Sequence, residues 1–216
     1  MKKIYLVRHG ESEGNTGPFR QGVDTPLTPT GIRQAEFVAK RFEAIPIDRM
    51  IVSTYQRAKH TAEIINKVIN KPIEYSDLIV ERKRPSVVVG KPKDDPEVLK
   101  IEALIREHFH SPDWRYSDEE SFSDLKKRAL KTIKYLEECK EENILLVTHG
   151  IFSKMIASCI IMGKELTSHE YHNLFLSLTT DNTGISLLER WDESKYDHPW
   201  TIATWNDHEH IGEEEL

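Results

Sequence analysis

The sequence predicts an α/β protein: a three-layer α/β/α sandwich, with a mostly parallel sheet and helices on both faces. Two patterns point to it. Short, wholly apolar runs recur at Ile4-Tyr5-Leu6-Val7, Met50-Ile51-Val52 and Ile144-Leu145-Leu146-Val147, and a strand apolar on both faces belongs inside a covered sheet. Between these runs lie longer segments with apolar residues at helical spacing. Strands that alternate with helices pair in parallel.

In chain order, Ile4 to Val7 is the first strand. Thr28-Pro29-Thr30-Gly31 opens a helix to about Phe42, with Ile32, Ala35, Phe37, Val38 and Phe42 apolar. Met50 to Val52 is the next strand. Arg57 to Ile69 follows as a helix with Ala58, Ala62, Ile65 and Ile69 on one face. Asp77-Leu78-Ile79-Val80 reads as a further strand. Phe122 to Cys139 carries Leu125, Ala129, Ile133 and Leu136 at helical spacing. Ile144 to Val147 is a strand. Ile151 to Met162 is apolar nearly all round, which predicts a buried helix. Ile185 to Leu188 and Thr201 to Trp205 complete the strand set. The 216 residues read as one domain, 1–216. The charged stretch around 82–120, with Pro92, Pro96 and Pro112, reads as an insertion covering a pocket. Trp114 and Tyr116 within it are candidate cover or packing residues.

Composition narrows the function classes. Hydrophobic residues make up 38% and charged residues 31%, enough apolar material for a core. A net charge of −6 argues against a nucleic-acid binder, which needs a basic face. It is compatible with small phosphorylated ligands held in a local basic pocket. Cys139 and Cys159 lie in helix-like segments with no metal-ligand spacing and read as free thiols. The apolar run after Lys2-Lys3 is too short for a signal peptide, and Ile151 to Met162 is too short to span a bilayer. The expectation is a soluble cytoplasmic protein without a membrane partner, either monomer or homodimer.

In parallel sheets ligands bind beyond the carboxyl ends of the strands. The residues that follow the predicted strands are Arg8-His9-Gly10-Glu11, Ser53-Thr54-Tyr55-Gln56-Arg57, Glu81, and Thr148-His149-Gly150. Two arginines, two histidines and a carboxylate therefore converge on one edge from four parts of the chain. Arginine forks match phosphate oxygens. One imidazole can serve as nucleophile and the other as charge stabiliser, while a carboxyl can protonate a leaving oxygen.

Leu6 to Asn15, Gln21-Gly22-Val23-Asp24-Thr25-Pro26-Leu27-Thr28 and Gly31-Ile32-Arg33-Gln34-Ala35 resemble the histidine phosphatase superfamily, the phosphoglycerate-mutase-like proteins. So do Ser53 to Ala62, Val147-Thr148-His149-Gly150, Asn182 to Ser186 and Asn206 to Ile211. The segments occur in family order over most of the chain. The resemblance implies that His9 accepts the phosphoryl group, that Arg8, Arg57 and His149 hold its oxygens, and that Glu81 donates the proton. Glu11 and Glu102 are alternative carboxylates for that proton. It further implies that Asn15 bonds the phosphoryl group or substrate, that Gln21 and Gly22 line the entrance, and that the backbone near Thr183 adds a donor. No cofactor and no metal are implied.

Hydrolysis of a small phosphorylated substrate, a phosphoprotein included, is the leading expectation. Phosphoglycerate mutase is the runner-up. Mutases of the family resemble G-E-S-x-W-N, whereas this chain has Gly14 at the tryptophan position, and Glu81 leads into Arg82-Lys83-Arg84-Pro85-Ser86. A non-catalytic phospho-ligand module would lack His9, Arg57 or His149, and all three are present. A metal-dependent hydrolase would lose activity in chelator. The basic run 82–84 reads as a solvated face or as an attractor of negative substrates. His208 and His210, two apart, would point to opposite faces of a strand, so that tail reads as a closing structural element. The acidic end Glu213 to Leu216 reads as frayed.

Overall fold

The computed structural model describes residues 1–191 and 199–212; the acidic end 213–216 lies outside them. Six strands form one sheet: β1 (Lys2–Arg8), β2 (Arg49–Ser53), β3 (Ile73–Ser76), β4 (Asn143–Thr148), β5 (Ile185–Arg190) and β6 (Trp200–Asp207). Their order is β3-β2-β4-β1-β5-β6. The first four in that order are parallel, and β5 and β6 are antiparallel additions at one side. The α-helices among the described residues are α1 (Glu13–Thr16), α2 (Pro29–Arg41), α3 (Gln56–Ile69), α4 (Pro96–Glu107), α5 (Phe122–Glu138), α6 (Gly150–Met162) and α7 (Ser168–Ser177).

The layers follow from the period of two along each strand. Ile4, Leu6, Ile51, Ile144 and Leu146 face α5 and α6, packing with Leu125, Leu136, Phe152 and Met155. Tyr5, Val7, Met50, Val52, Leu145 and Val147 face the other way, onto Val38 of α2 and Ala58, Ala62 and Ile65 of α3. Both faces of the central strands are thus buried, as their unbroken apolar runs require. Local signals set the helix starts. Thr28 accepts from the Gly31 N–H at 3.0 Å with Pro29 opening α2, and Ser121 with Asp124 forms a capping box on α5.

Two sequence expectations change. Asp77 to Ile79 is a 3-10 turn, and the strand is the preceding Ile73–Ser76. This edge strand is mixed in polarity and only partly buried, so it lacks the apolar run that marks the others. The charged insertion contains α4, capped by Asp95 through the Glu97 and Val98 N–H groups. Val88, Val98 and Ile101 give that insertion a small core of its own. Trp114 stacks on His108 with centroids 4.3 Å apart, so it is a packing residue. Tyr116 is exposed. Cys139 and Cys159 are free thiols, the latter buried. No helix among the described residues is long and apolar enough to cross a membrane.

Candidate active site

The turn after β1 is shaped by a close backbone approach. A Cβ on Gly10 would lie 2.3 Å from the Gly31 carbonyl oxygen at the start of α2, and one on Gly31 would meet the Glu11 oxygen at 1.9 Å. Both positions therefore require glycine. The Glu11 N–H donates to Gln34 Oε1 at 2.8 Å, and the Glu11 carboxylate accepts from the Thr28 hydroxyl at 2.6 Å. Glu11 thus ties β1 to α2.

His9 is buried at the centre of this turn, with 2% of its surface exposed. Its Nδ1 lies 2.7 Å from the Gly10 carbonyl oxygen, which can only accept, so Nδ1 carries the proton. Nε2 presents its lone pair and receives the Arg57 Nε–H at 3.1 Å. Burial, then the Arg57 and Arg8 charges, hold His9 well below the ordinary histidine range. The result is a neutral imidazole with a defined nucleophilic nitrogen.

Arg57, on the first turn of α3, is buried over the face of Tyr55 at 5.0 Å and donates to the Gly22 carbonyl at 2.9 Å. Burial lowers it to about 10. Arg8 is half-buried; desolvation lowers it from the ordinary arginine value, and its guanidinium donates to the Thr180 carbonyl. His149 caps α6 with its ring 5.1 Å from that of His9. Ser53 Oγ lies 2.7 Å from His149 Nε2, and His149 Nδ1 is buried without a hydrogen-bond partner. Burial, with His9 and the arginines, pushes His149 well below its ordinary value.

Glu81 follows the 3-10 turn and reaches the start of α6. Its carboxylate accepts from the N–H groups of Arg82, Ile151 and Phe152 at 2.9, 3.1 and 3.0 Å. Glu102 is instead paired with Arg20 and Arg84. Glu81 and Arg57 line one cavity of about 460 Å³, together with Gln21, Gly22, Tyr55 and Arg84. A larger neighbouring cavity of about 760 Å³ shares Gln21 and Gly22 with it but contains none of the strand-end residues; of these the smaller one holds Arg57 and Glu81, while Arg8, His9 and His149 line neither.

The structure therefore brings Arg8, His9, Arg57, Glu81 and His149 together, with Gln21 and Gly22 at the cavity wall. Two of the expected residues are engaged by neighbours in the chain. Thr183 is fully buried, and its N–H is spent on the Arg8 carbonyl at 2.9 Å and the His9 carbonyl at 3.4 Å; it holds the site from behind and offers no donor to a ligand. Asn15 lies at the third position of α1, where its Oδ1 accepts from the Ser12 N–H and hydroxyl at 2.9 and 2.8 Å. Sequence reasoning assigned no role to Arg128. From α5 it pairs with Glu120 and donates to the Leu78 and Val80 carbonyls, fixing the segment that carries Glu81. A lone arginine on an amphipathic helix gives no signal of that. Among the described residues no group of three or more His, Cys, Asp or Glu side chains is placed to hold a metal. His208 and His210 diverge, towards Asp181 and Thr183 respectively.

Comparison with known proteins places the chain in a family. The family model for the histidine phosphatase superfamily (branch 1) matches residues 4–208. The chain belongs to the histidine phosphatase superfamily. Among superfamily relatives, the probable phosphoglycerate mutase GpmB of Photorhabdus laumondii is 32% identical, covering 95% of this chain and 90% of that one. The uncharacterized phosphatase PhoE of Bacillus subtilis is 31% identical, with coverage of 82% and 87%. The solved structure of Bacillus stearothermophilus YhfR aligns with a TM-score of 0.81 at 26% identity, covering 98% and 100%. As a member of this superfamily of phosphatases and mutases, the chain carries the strand-end cluster on the family fold.

Proposed function

We propose that this protein is a phosphomonoesterase that works through a phosphohistidine on His9. The observation that carries the reading is the His9 ring itself: Nδ1 is pinned to the Gly10 carbonyl and Nε2 is left as the nucleophile, beside Arg8, Arg57 and His149. In this reading the Nε2 lone pair attacks phosphorus and the ester oxygen leaves with a proton from Glu81. Water then attacks the phosphohistidine, gives its proton to the Glu81 carboxylate, and inorganic phosphate departs. Arg8, Arg57 and a His149 Nδ1–H hold the phosphoryl oxygens. The guanidinium charges supply the compensation that a metal would otherwise bring.

Hydrolysis is favoured over mutase chemistry by Gly14. A Cβ there would lie 2.2 Å from Gln21 Cβ, so the tryptophan of mutase-like sequences has no room. Phosphoglycerate mutase stays as the second reading because relatives under both names cover most of the chain. The insertion at 82–120 supplies Arg82, Lys83, Arg84 and Glu120 to the cavity wall, which supports its role in choosing small, negatively charged substrates.

The test is rapid mixing of labelled phosphomonoesters with wild type and His9→Ala, in excess chelator. Acid-labile phosphate on His9, release of inorganic phosphate and an inert His9→Ala are expected. Interconversion of 2- and 3-phosphoglycerate without phosphate release would transfer the assignment to the mutase. Full turnover by His9→Ala would refute both.

A further inference from the structure

We infer that His210, near the end of the chain, is a positioning residue for the nucleophile: through the Thr183 hydroxyl it locks the turn that grips the backbone of Arg8 and His9. The inference rests on the phosphohistidine reading above. The turn at 180–184 holds Arg8 at three points. Thr180 O accepts from its guanidinium, the Thr183 N–H donates to its carbonyl at 2.9 Å, and Gly184 O accepts from its N–H at 3.4 Å. It holds His9 at its carbonyl oxygen, which accepts from Asn182 Nδ2 at 2.9 Å and from the Thr183 N–H at 3.4 Å. This turn thus sets where the imidazole starts from.

The turn needs outside support. Thr183 sits at φ 58, a region unfavourable for a β-branched residue. Such a conformation persists only where neighbours over-determine it. Two residues of the closing segment do so from opposite ends. Asn206 Oδ1 accepts from the Asp181 N–H at 2.7 Å, and its Nδ2 donates to the Asp181 carboxylate at 2.6 Å. His210 Nε2 lies 3.0 Å from Thr183 Oγ1. That hydroxyl donates to the Asn182 carbonyl at 2.7 Å, so towards His210 it accepts, and Nε2 carries the proton. His210 Nδ1 is buried without a hydrogen-bond partner, and burial lowers the ring to about 4, consistent with a neutral donor. The chain is continuous in hydrogen bonds from His210 through Thr183 and Asn182 to the His9 carbonyl.

The donor position decides the test. Glutamine places its N–H₂ near where histidine has Nε2, and asparagine places it nearer Nδ1. His210→Ala and His210→Asn should lower kcat for p-nitrophenyl phosphate about tenfold, the equivalent of one lost hydrogen bond, with KM within about twofold of wild type. His210→Gln should recover most of the loss. Thr183→Gly keeps the N–H bonds, suits the positive φ and removes the hydroxyl, so adding His210→Ala to it should cost nothing further. Phosphoenzyme formation in a single turnover should follow kcat in every variant. Equal kcat for His210→Gln and His210→Asn, or a full additive loss in the Thr183→Gly background, would overturn the inference. An unaffected His210→Ala beside an inert His9→Ala would overturn this inference alone, whereas an active His9→Ala would remove the reading beneath it.

Discussion

Glu81 caps α6 and, in the proposed mechanism, gives the leaving oxygen its proton; substitution can separate the two. Its oxygens take the N–H groups of Ile151 and Phe152, two of the four unpaired donors at the start of α6, and the Arg82 N–H as well. Glu81→Ala leaves those donors without their acceptor and removes a negative charge from the positive end of the helix. The expected cost is about 1–2 kcal/mol, comparable to losing an N-cap. For a domain of this size that lowers Tm by about 2–8 °C. Glu81→Gln keeps one acceptor oxygen and loses mainly the charge, about 0.3–1 kcal/mol. Catalysis should treat the two variants alike, because neither can give a proton to the leaving oxygen. Turnover of alkyl phosphates should fall about 10²–10⁴-fold in both. Turnover of p-nitrophenyl phosphate should fall far less, since its leaving group needs no proton. Thermal melts and steady-state rates on both esters check the two halves. Equal losses on the two esters would refute the acid assignment, and equal Tm values for the two variants would refute the capping argument.

Lowering pH should also destabilise the fold through the buried imidazoles. His9 and His149 have pKa values pushed down by burial first and by the neighbouring cations next. The unfolded chain therefore binds more protons than the folded one below about pH 6.5, and stability falls as pH falls through that range. Each such group contributes a slope of about 1.4 kcal/mol per pH unit. His210, lowered to about 4, adds to the effect; since the unfolded histidines are only partly protonated in this range, urea unfolding between pH 7 and 5.5 should show a combined slope of about 2.5 kcal/mol per pH unit, and His149→Asn should remove about a third of it; an unchanged slope would show that His149 is not held neutral. Gly14→Ala should push Gln21 away, because the added Cβ meets Gln21 Cβ rather than a flexible tip. Since Gly22 O holds Arg57, KM should rise and stability should drop by about 1–3 kcal/mol; a variant with wild-type KM and Tm would show that the contact relaxes freely.

Much of the fold is legible because burial on both sides of a parallel strand forces an unbroken apolar run, and β1, β2 and β4 all carry one. The edge strand β3 carries none, since only one of its sides is paired within the sheet and its residues are partly exposed; Asp77 to Val80, more apolar, draws the strand assignment four residues too late. Helix α4 hides in a charged segment because its buried stripe is only Val98 and Ile101. The reacting groups are legible for a topological reason: residues placed just after parallel strands must meet at one edge of the sheet, so Arg8, His9, Arg57, Glu81 and His149 converge without any coordinates.

The sequence by itself determined which residues could do chemistry and on which edge they gather, because strand polarity and the period of two are local properties of the chain. Tertiary structure alone decided how each is held. Whether a polar group faces a ligand or a neighbour depends on contacts between residues far apart in sequence. Thus the Thr183 N–H turned out to serve the Arg8 carbonyl, Asn15 to cap α1, Glu81 to cap α6 as well as to face the cavity, and His210 to brace the turn behind His9. No local pattern encodes those distances, since each is set by where two separate elements pack against the same core.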